Sequence, residues 1–242
     1  MNRPAAPLVR NLEPQDIGPA AAVLVLAALN ARRDPVIGVA TGSSPSPLYD
    51  ALSARGADFT RAAWFALDEY VGLPPGHPES YAEVLRREII GPLGLDPKTV
   101  HLPDPHREDL QAACDDYERR IAAAGGIDLQ ILGIGRNGHL AFNEPGGALD
   151  SRTRVEVLTE DTRRANQRFF DSLDSVPTRC LTQGLGTILE AGQLLLIAQG
   201  EDKAPALRAA LHGPVSPECP ASVLQLHGRV TVLADAAAAS LL

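Results

Sequence analysis

Apolar and polar positions alternate between two periods along this chain. Short apolar runs of strand length occupy 8–12, 36–40, 62–67, 100–102, 127–134, 193–198 and 229–233. Between them lie longer stretches with apolar residues three and four apart, which read as helices. These cover 14–32, 47–54, 80–90, 108–124, 161–170, 201–211 and the short piece 221–226. Gly91-Pro92, Gly125-Gly126 and Gly213-Pro214 punctuate three helix ends. Residues 152–158 alternate Thr153, Val155 and Val157 and read as a further strand, and 180–189 reads as helical despite Gly184 and Gly186.

Strands that alternate with helices predict an α/β fold. The expected form is an open, mainly parallel twisted sheet with helices on both faces, a Rossmann-like arrangement. No repeat, low-complexity linker or shift of composition divides the chain, so 1–242 reads as one domain. The composition, 45% hydrophobic and 21% charged, suits a globular protein of this length.

Charge narrows the partners. A net charge of −8 argues against nucleic acid or an anionic membrane as the main partner. A phosphorylated small molecule fits only where positive charge is gathered locally. The stretch 20–29 is too short and alanine-rich to span a bilayer, and 1–12 lacks the apolar core of a signal peptide. Cys114, Cys180 and Cys219 are odd in number and scattered. They form neither a disulfide framework nor a metal-binding spacing, which fits a reducing cytoplasm.

Four stretches carry candidate chemistry. The segment 127–147 is an apolar run that stops at Gly133 and Gly135, followed by Asn137, His139 and Glu144. The glycines allow close approach of a ligand. The Glu can orient the imidazole and support its charged form. Thr41-Gly42-Ser43-Ser44 joins a strand to a helix, so its amides and hydroxyls meet the helix's positive end. That suits a phosphate monoester, and equally an ordinary capped turn. Asp68-Glu69 closes the third strand and reads as either a solvated edge or a placed carboxylate, with solvation the better reading for Glu69. Arg168 is flanked by aromatic Phe169 and Phe170. Lys203 stands at a helix start against the dipole preference, an objection that a bound anion would remove. His77, His101, His106, His212 and His227 have no comparable neighbours and read as structural or surface residues.

Taken together and in order, ATGSSP, LDEYVGLPPGHPESY, LGIGRNGHLAFNEPG, SRTRV, DTRRANQRFF and the segment around Lys203 resemble the glucosamine-6-phosphate deaminase/isomerase family. The resemblance runs from about residue 36 to 233, and LDEYVGL and NGHLAFNEP are its most specific parts. It implies conversion of glucosamine 6-phosphate and water to fructose 6-phosphate and ammonia, through an enediol-like intermediate and with no metal or organic cofactor. Asp68 matches the carboxylate that moves a proton between C2 and C1. His139 matches the group that opens the pyranose ring, Glu144 its orienting partner, and Asn137 completes the set. Thr41, Gly42, Ser43, Ser44, Gly133, Arg168 and Lys203 fall in the sugar-phosphate site, and 159–182 resembles the family's lid.

The resemblance has departures. Some members carry Asp at the place of Asn137. Gly147 and Ala148 replace hydroxyl residues, and Glu156 replaces a Lys, beside a retained Arg154, where allosteric members bind an effector. The implied protein is not activated in that way and is a monomer or small homo-oligomer. The alternatives on the same fold are a 6-phosphogluconolactonase, another amino-sugar-phosphate isomerase and a non-catalytic sugar-phosphate sensor. The lactonases are not expected to carry FNEPG, and a sensor has less need of Asp68, His139 and Glu144 together.

Overall fold

Three runs, VIGV, LQIL and LLLIA, are buried at every position. Strands covered on both faces need apolar side chains on both, so these three belong in the middle of a layered sheet. The computed structural model, which describes residues 4–242, places them there. Residues 1–3, part of the N-terminal stretch read for a signal peptide, lie outside the described residues.

In chain order the strands are β1 (Leu8–Asn11), β2 (Val36–Val39), β3 (Ala63–Ala66), β4 (Asp68–Val71), β5 (Val100–His101), β6 (Leu129–Leu132), β7 (Arg154–Val157), β8 (Arg179–Thr182), β9 (Leu194–Ala198) and β10 (Val230–Ala234). The helices are α1 (Pro14–Ala31), α2 (Ser46–Ser53), α3 (Tyr81–Leu85), α4 (Gly91–Leu93), α5 (Leu110–Ala123), α6 (Glu160–Asn166), α7 (Leu185–Leu189) and α8 (Ala204–His212). Seven strands form one parallel sheet in the order β1-β10-β9-β6-β2-β3-β5. Helices flank it, and one large apolar cluster joins sheet and helices into a single core. Among the described residues no helix is long and apolar enough to cross a membrane.

A second sheet was not legible in the sequence. β4, β8 and β7 form a three-stranded antiparallel sheet with β8 in the centre. This corrects the helix expected over 180–189. Cys180, Leu181 and Thr182 are buried in the central strand, and only Leu185–Leu189 is helical. A short apolar run covered on both faces has no period to separate strand from helix. Gly184 makes the turn between them. A Cβ there would sit 2.0 Å from the Ser151 carbonyl oxygen, so only glycine lets the chain pass.

Two smaller corrections follow the same logic. The third strand does not end in Asp68-Glu69. β3 stops at Ala66, and after Leu67 the chain enters the small sheet as β4, with Asp68 its first residue. The helix 80–90 does not stop at Gly91-Pro92. It runs through a π-helical turn (Arg86–Ile90) into α4 and ends at Gly94, whose φ of +64° closes it.

The close approach at Gly184 gives a direct test. Gly184→Ala overpacks a backbone contact and is expected to cost about 1–3 kcal/mol. For a chain of this size each kcal/mol is worth about 2–4 °C in Tm by thermal melting. An unchanged Tm would contradict the packing described for this turn.

Candidate active site

In a parallel sheet all carboxyl ends lie on one edge, and ligands bind beyond that edge. β9, β6, β2 and β3 are consecutive neighbours in the sheet. Their carboxyl-end segments carry Lys203, Gly133 to Glu144, Thr41 to Ser44, and Asp68 respectively. The topology therefore lines up four segments, far apart in sequence, along one edge.

The loop after β6 is internally braced. Asn137 Nδ2 donates to Glu144 Oε2 at 3.1 Å, and the His139 amide donates to Asn137 Oδ1 at 3.2 Å. His139 Nδ1 faces the same Glu144 oxygen at 3.9 Å, an ion-pair separation rather than a hydrogen bond. Nδ1 is buried and has no hydrogen-bond partner among the described residues. The ring lies against Gly135, where a Cβ would meet three of its atoms at 2.4–2.5 Å. Asn137 suits this arrangement better than Asp would. An amide can donate to Glu144, whereas a second carboxylate would repel it.

Burial holds the His139 imidazole below its ordinary pKa; the Glu144 carboxylate opposes this and the Lys203 ammonium adds to it. The resting ring is thus a neutral imidazole, able to accept a proton on one nitrogen and give one from the other. Glu144, 5% exposed, is also held from the far side. Its Oε1 accepts from the Thr159 amide and hydroxyl, both at 3.2 Å. Thr159 is the N-cap of α6, so the segment 159–182 begins on the carboxylate that faces the imidazole.

Asp68 sits at the junction of the two sheets. Gln183 donates through its amide to Leu67 O at 2.7 Å and through Nε2 to Ala66 O at 3.0 Å. Thr182, the ladder partner of Asp68, accepts from the Phe142 amide at 3.2 Å. The strand pair that carries Asp68 is thereby pinned to the loop that carries His139. The Asp68 carboxyl is 8% exposed and makes no side-chain hydrogen bond or ion pair among the described residues. Burial, with the neighbouring Glu69 charge, pushes it up to about 8. A buried carboxyl held without a partner is the kind of group that makes a functional-site candidate.

Its neighbour differs, and the solvated reading of Glu69 is corrected. Glu69 is 2% exposed and accepts from the amides of Tyr70, Tyr81 and Ala82 at 2.7–2.9 Å. It caps the start of α3, whose orphan N–H groups need an acceptor. Nothing in the sequence pairs a strand acid with a helix start twelve residues on.

The basic residues are less tightly gathered. Lys203 is the last residue of a 3-10 turn (Glu201–Lys203) that leads into α8. Burial lowers its ammonium; Asp202 opposes the shift, and the charges of Arg136 and Arg168 add to it. Arg168 is exposed, with its guanidinium 4.7 Å over the Phe169 ring. Phe170 packs on Tyr70 and His77 with ring centroids 5.9 Å from each. Thr41, Ser43 and Ser44 make no side-chain hydrogen bond to the other site residues. Gly42 has φ +102°, and no atom lies within 4 Å of a Cβ added at Gly42 or Gly133. Both positions border open space. Sequence reading missed Thr159, Thr182, Gln183, Arg136 and Asp202. Only Thr159, a hydroxyl before two acids, had a local signal, as an N-cap.

Comparison with known proteins gives the family. The profile of the family described as Glucosamine-6-phosphate isomerases/6-phosphogluconolactonase matches residues 19–233. A glucosamine-6-phosphate deaminase of Pseudarthrobacter chlorophenolicus is 55% identical over 229 residues, 93% of this chain and 88% of that protein. Another, from Mycolicibacterium smegmatis, is 51% identical over 232 residues, covering 94% and 89%. Among solved structures, a monomeric glucosamine-6-phosphate deaminase superposes with a TM-score of 0.94 at 39% identity, covering 97% of this chain and 100% of that one. A 6-phosphogluconolactonase from Trypanosoma cruzi superposes with a TM-score of 0.79 at 19% identity, covering 100% and 99%, a likeness of fold alone. The chain belongs to the glucosamine-6-phosphate isomerase/6-phosphogluconolactonase family.

Proposed function

We propose that this protein converts glucosamine 6-phosphate and water to fructose 6-phosphate and ammonia. The observation that carries the reading is the pinning of an unpaired, buried carboxyl, Asp68, to the Asn137–His139–Glu144 loop through Thr182 and Phe142. Both a proton-transfer carboxylate and a ring-opening imidazole are then held in one place.

The steps follow from these groups. Neutral His139 takes the proton of the anomeric hydroxyl and returns one to the ring oxygen, which opens the pyranose. Glu144 stabilises the imidazolium formed in between. The new C1 carbonyl acidifies the C2 hydrogen. Ionised Asp68 removes that proton while the C1 oxygen takes one from the C2 ammonium, giving an enolamine; Asp68 then returns its proton to C1, leaving a protonated imine at C2. Water adds to the imine and ammonia leaves, giving the ketone. C1 and C2 are adjacent on one face, so one carboxyl shielded from water can serve both. Thr41, Gly42, Ser43, Ser44, Gly133, Arg168 and Lys203 hold the sugar phosphate, with Lys203 and Arg168 supplying positive charge that the chain as a whole lacks.

We infer that the segment starting at Thr159 closes over the substrate. Its moving part is 159–178, because Arg179–Thr182 is the central strand of the small sheet. Closure excludes water from the reacting carbons. The same reading makes the protein a monomer or small homo-oligomer without effector activation. The Arg154 guanidinium already donates to Asn143, Ser151 and Glu156, so an incoming anion would compete with partners in place. A phosphorylated-sugar substrate, with the free thiols of Cys114, Cys180 and Cys219, suits the cytoplasm.

Three outcomes are expected. Asp68→Asn removes ammonia release by ~10²–10⁴-fold, the usual worth of general acid–base catalysis, yet stabilises the fold. The carboxyl binds its proton more tightly folded than unfolded, so wild-type folding is penalised as pH rises from near 3.8 through about 8. The Tm advantage of Asp68→Asn should therefore grow between pH 5 and pH 8. A full-rate variant, or a pH-independent Tm difference, contradicts the assignment. In limited proteolysis, saturating substrate should protect 159–178, and equal cleavage with and without it speaks against closure. Substrate saturation should be hyperbolic and insensitive to N-acetylglucosamine 6-phosphate, and sigmoidal curves relieved by that sugar would overturn the effector reading.

A further inference from the structure

The catalytic reading leaves one charged group beside the phosphate-binding cations without a task. Asp202 Oδ2 accepts from Arg136 Nε at 2.8 Å and lies 3.7 Å from Lys203 Nζ. One carboxylate oxygen thus serves two cations from two different strand ends. Arg136 follows β6 and directly precedes Asn137, while Lys203 follows β9. The Arg136 side chain is 70% exposed and forms no other ion pair or hydrogen bond among the described residues. Lys203 is only 20% exposed.

Arg136, Lys203 and Arg168 repel one another; in Lys203 the pull of Arg136 exceeds that of Arg168. Without an anion such a cluster would spread apart. Asp202 supplies one internally. It also answers why a Lys is tolerated at this helix start, since the acids of the turn complement the dipole. A phosphate dianion carries more charge than a carboxylate and accepts from a guanidinium in a two-point geometry, so it competes well for both cations. Arg136 is free to turn, because nothing but Asp202 holds its head.

We propose that Asp202 is an internal counter-ion that the substrate's phosphate displaces, and that Arg136, once released, becomes a third cation of the phosphate site. The proposal rests on the reading above that Lys203 holds the phosphate. Asp202 then opposes substrate binding, and Arg136 favours it. The two residues of one salt bridge should act in opposite directions, which a merely structural bridge does not do.

The test is steady-state kinetics with glucosamine 6-phosphate and inhibition by inorganic phosphate, on the full-length protein. Asp202→Asn should lower KM and the phosphate inhibition constant about two- to fivefold, and Arg136→Gln should raise both by a like factor, the range of an exposed charge pair. The changes should fall on KM rather than kcat and shrink as salt is added. Melting curves confirm that each variant is folded. Shifts of the two variants in the same direction, or no shift in either, overturn the proposal. Lys203→Met separates the premises. If it leaves phosphate inhibition unchanged, the phosphate-site reading itself fails. If it weakens phosphate while the other two variants do nothing, only the displacement idea fails.

Discussion

The arrangement depends on the crossing of the chain between two sheets at Leu67. β3 belongs to the parallel sheet and β4 to the antiparallel one, with a single residue between them. Gln183 secures the crossing by donating to the carbonyls of both Ala66 and Leu67. Its neighbour Thr182 then receives the Phe142 amide. Three backbone segments meet there: one carries Asp68, one leads to His139, and Thr182-Gln183 joins them. Without this joint Asp68 would be an ordinary acid at a strand end, solvated and at its usual pKa.

The joint also explains the electrostatic cost of the site. Among the described residues Asp68 is desolvated with no donor, His139 Nδ1 is buried with no partner, and Lys203 is partly desolvated beside other cations. Each group would be more stable elsewhere. They are held by a core that runs without interruption through the parallel sheet and its helices. Local cations within a chain of net charge −8 mean that anion binding relies on a few placed residues rather than on the global field.

Much of this was legible from the residues. The buried runs VIGV, LQIL and LLLIA announce central parallel strands, and the Gly133–Glu144 loop stands out because its polar groups follow such a run. The small sheet was hidden because β8 is short and buried on both faces over Cys180, Leu181 and Thr182, which leaves no period to read. Its partner β4 begins with two acids, which propensity places outside strands. Glu69 shows the same limit. Its three amide donors come from its own strand and from a helix start brought near only by folding. The Asp202 bridge is invisible for the same reason: it joins residues 66 positions apart.

In the proposed mechanism one water-shielded carboxyl, Asp68, carries a proton from C2 to C1 of the opened sugar. Glucosamine 6-phosphate deuterated at C2, converted in ordinary water, tests it directly by NMR of the fructose 6-phosphate formed. A measurable share of the deuterium is expected at C1, with none of this transfer in Asp68→Asn. Product with no deuterium at C1, or the same transfer in the variant, would contradict it.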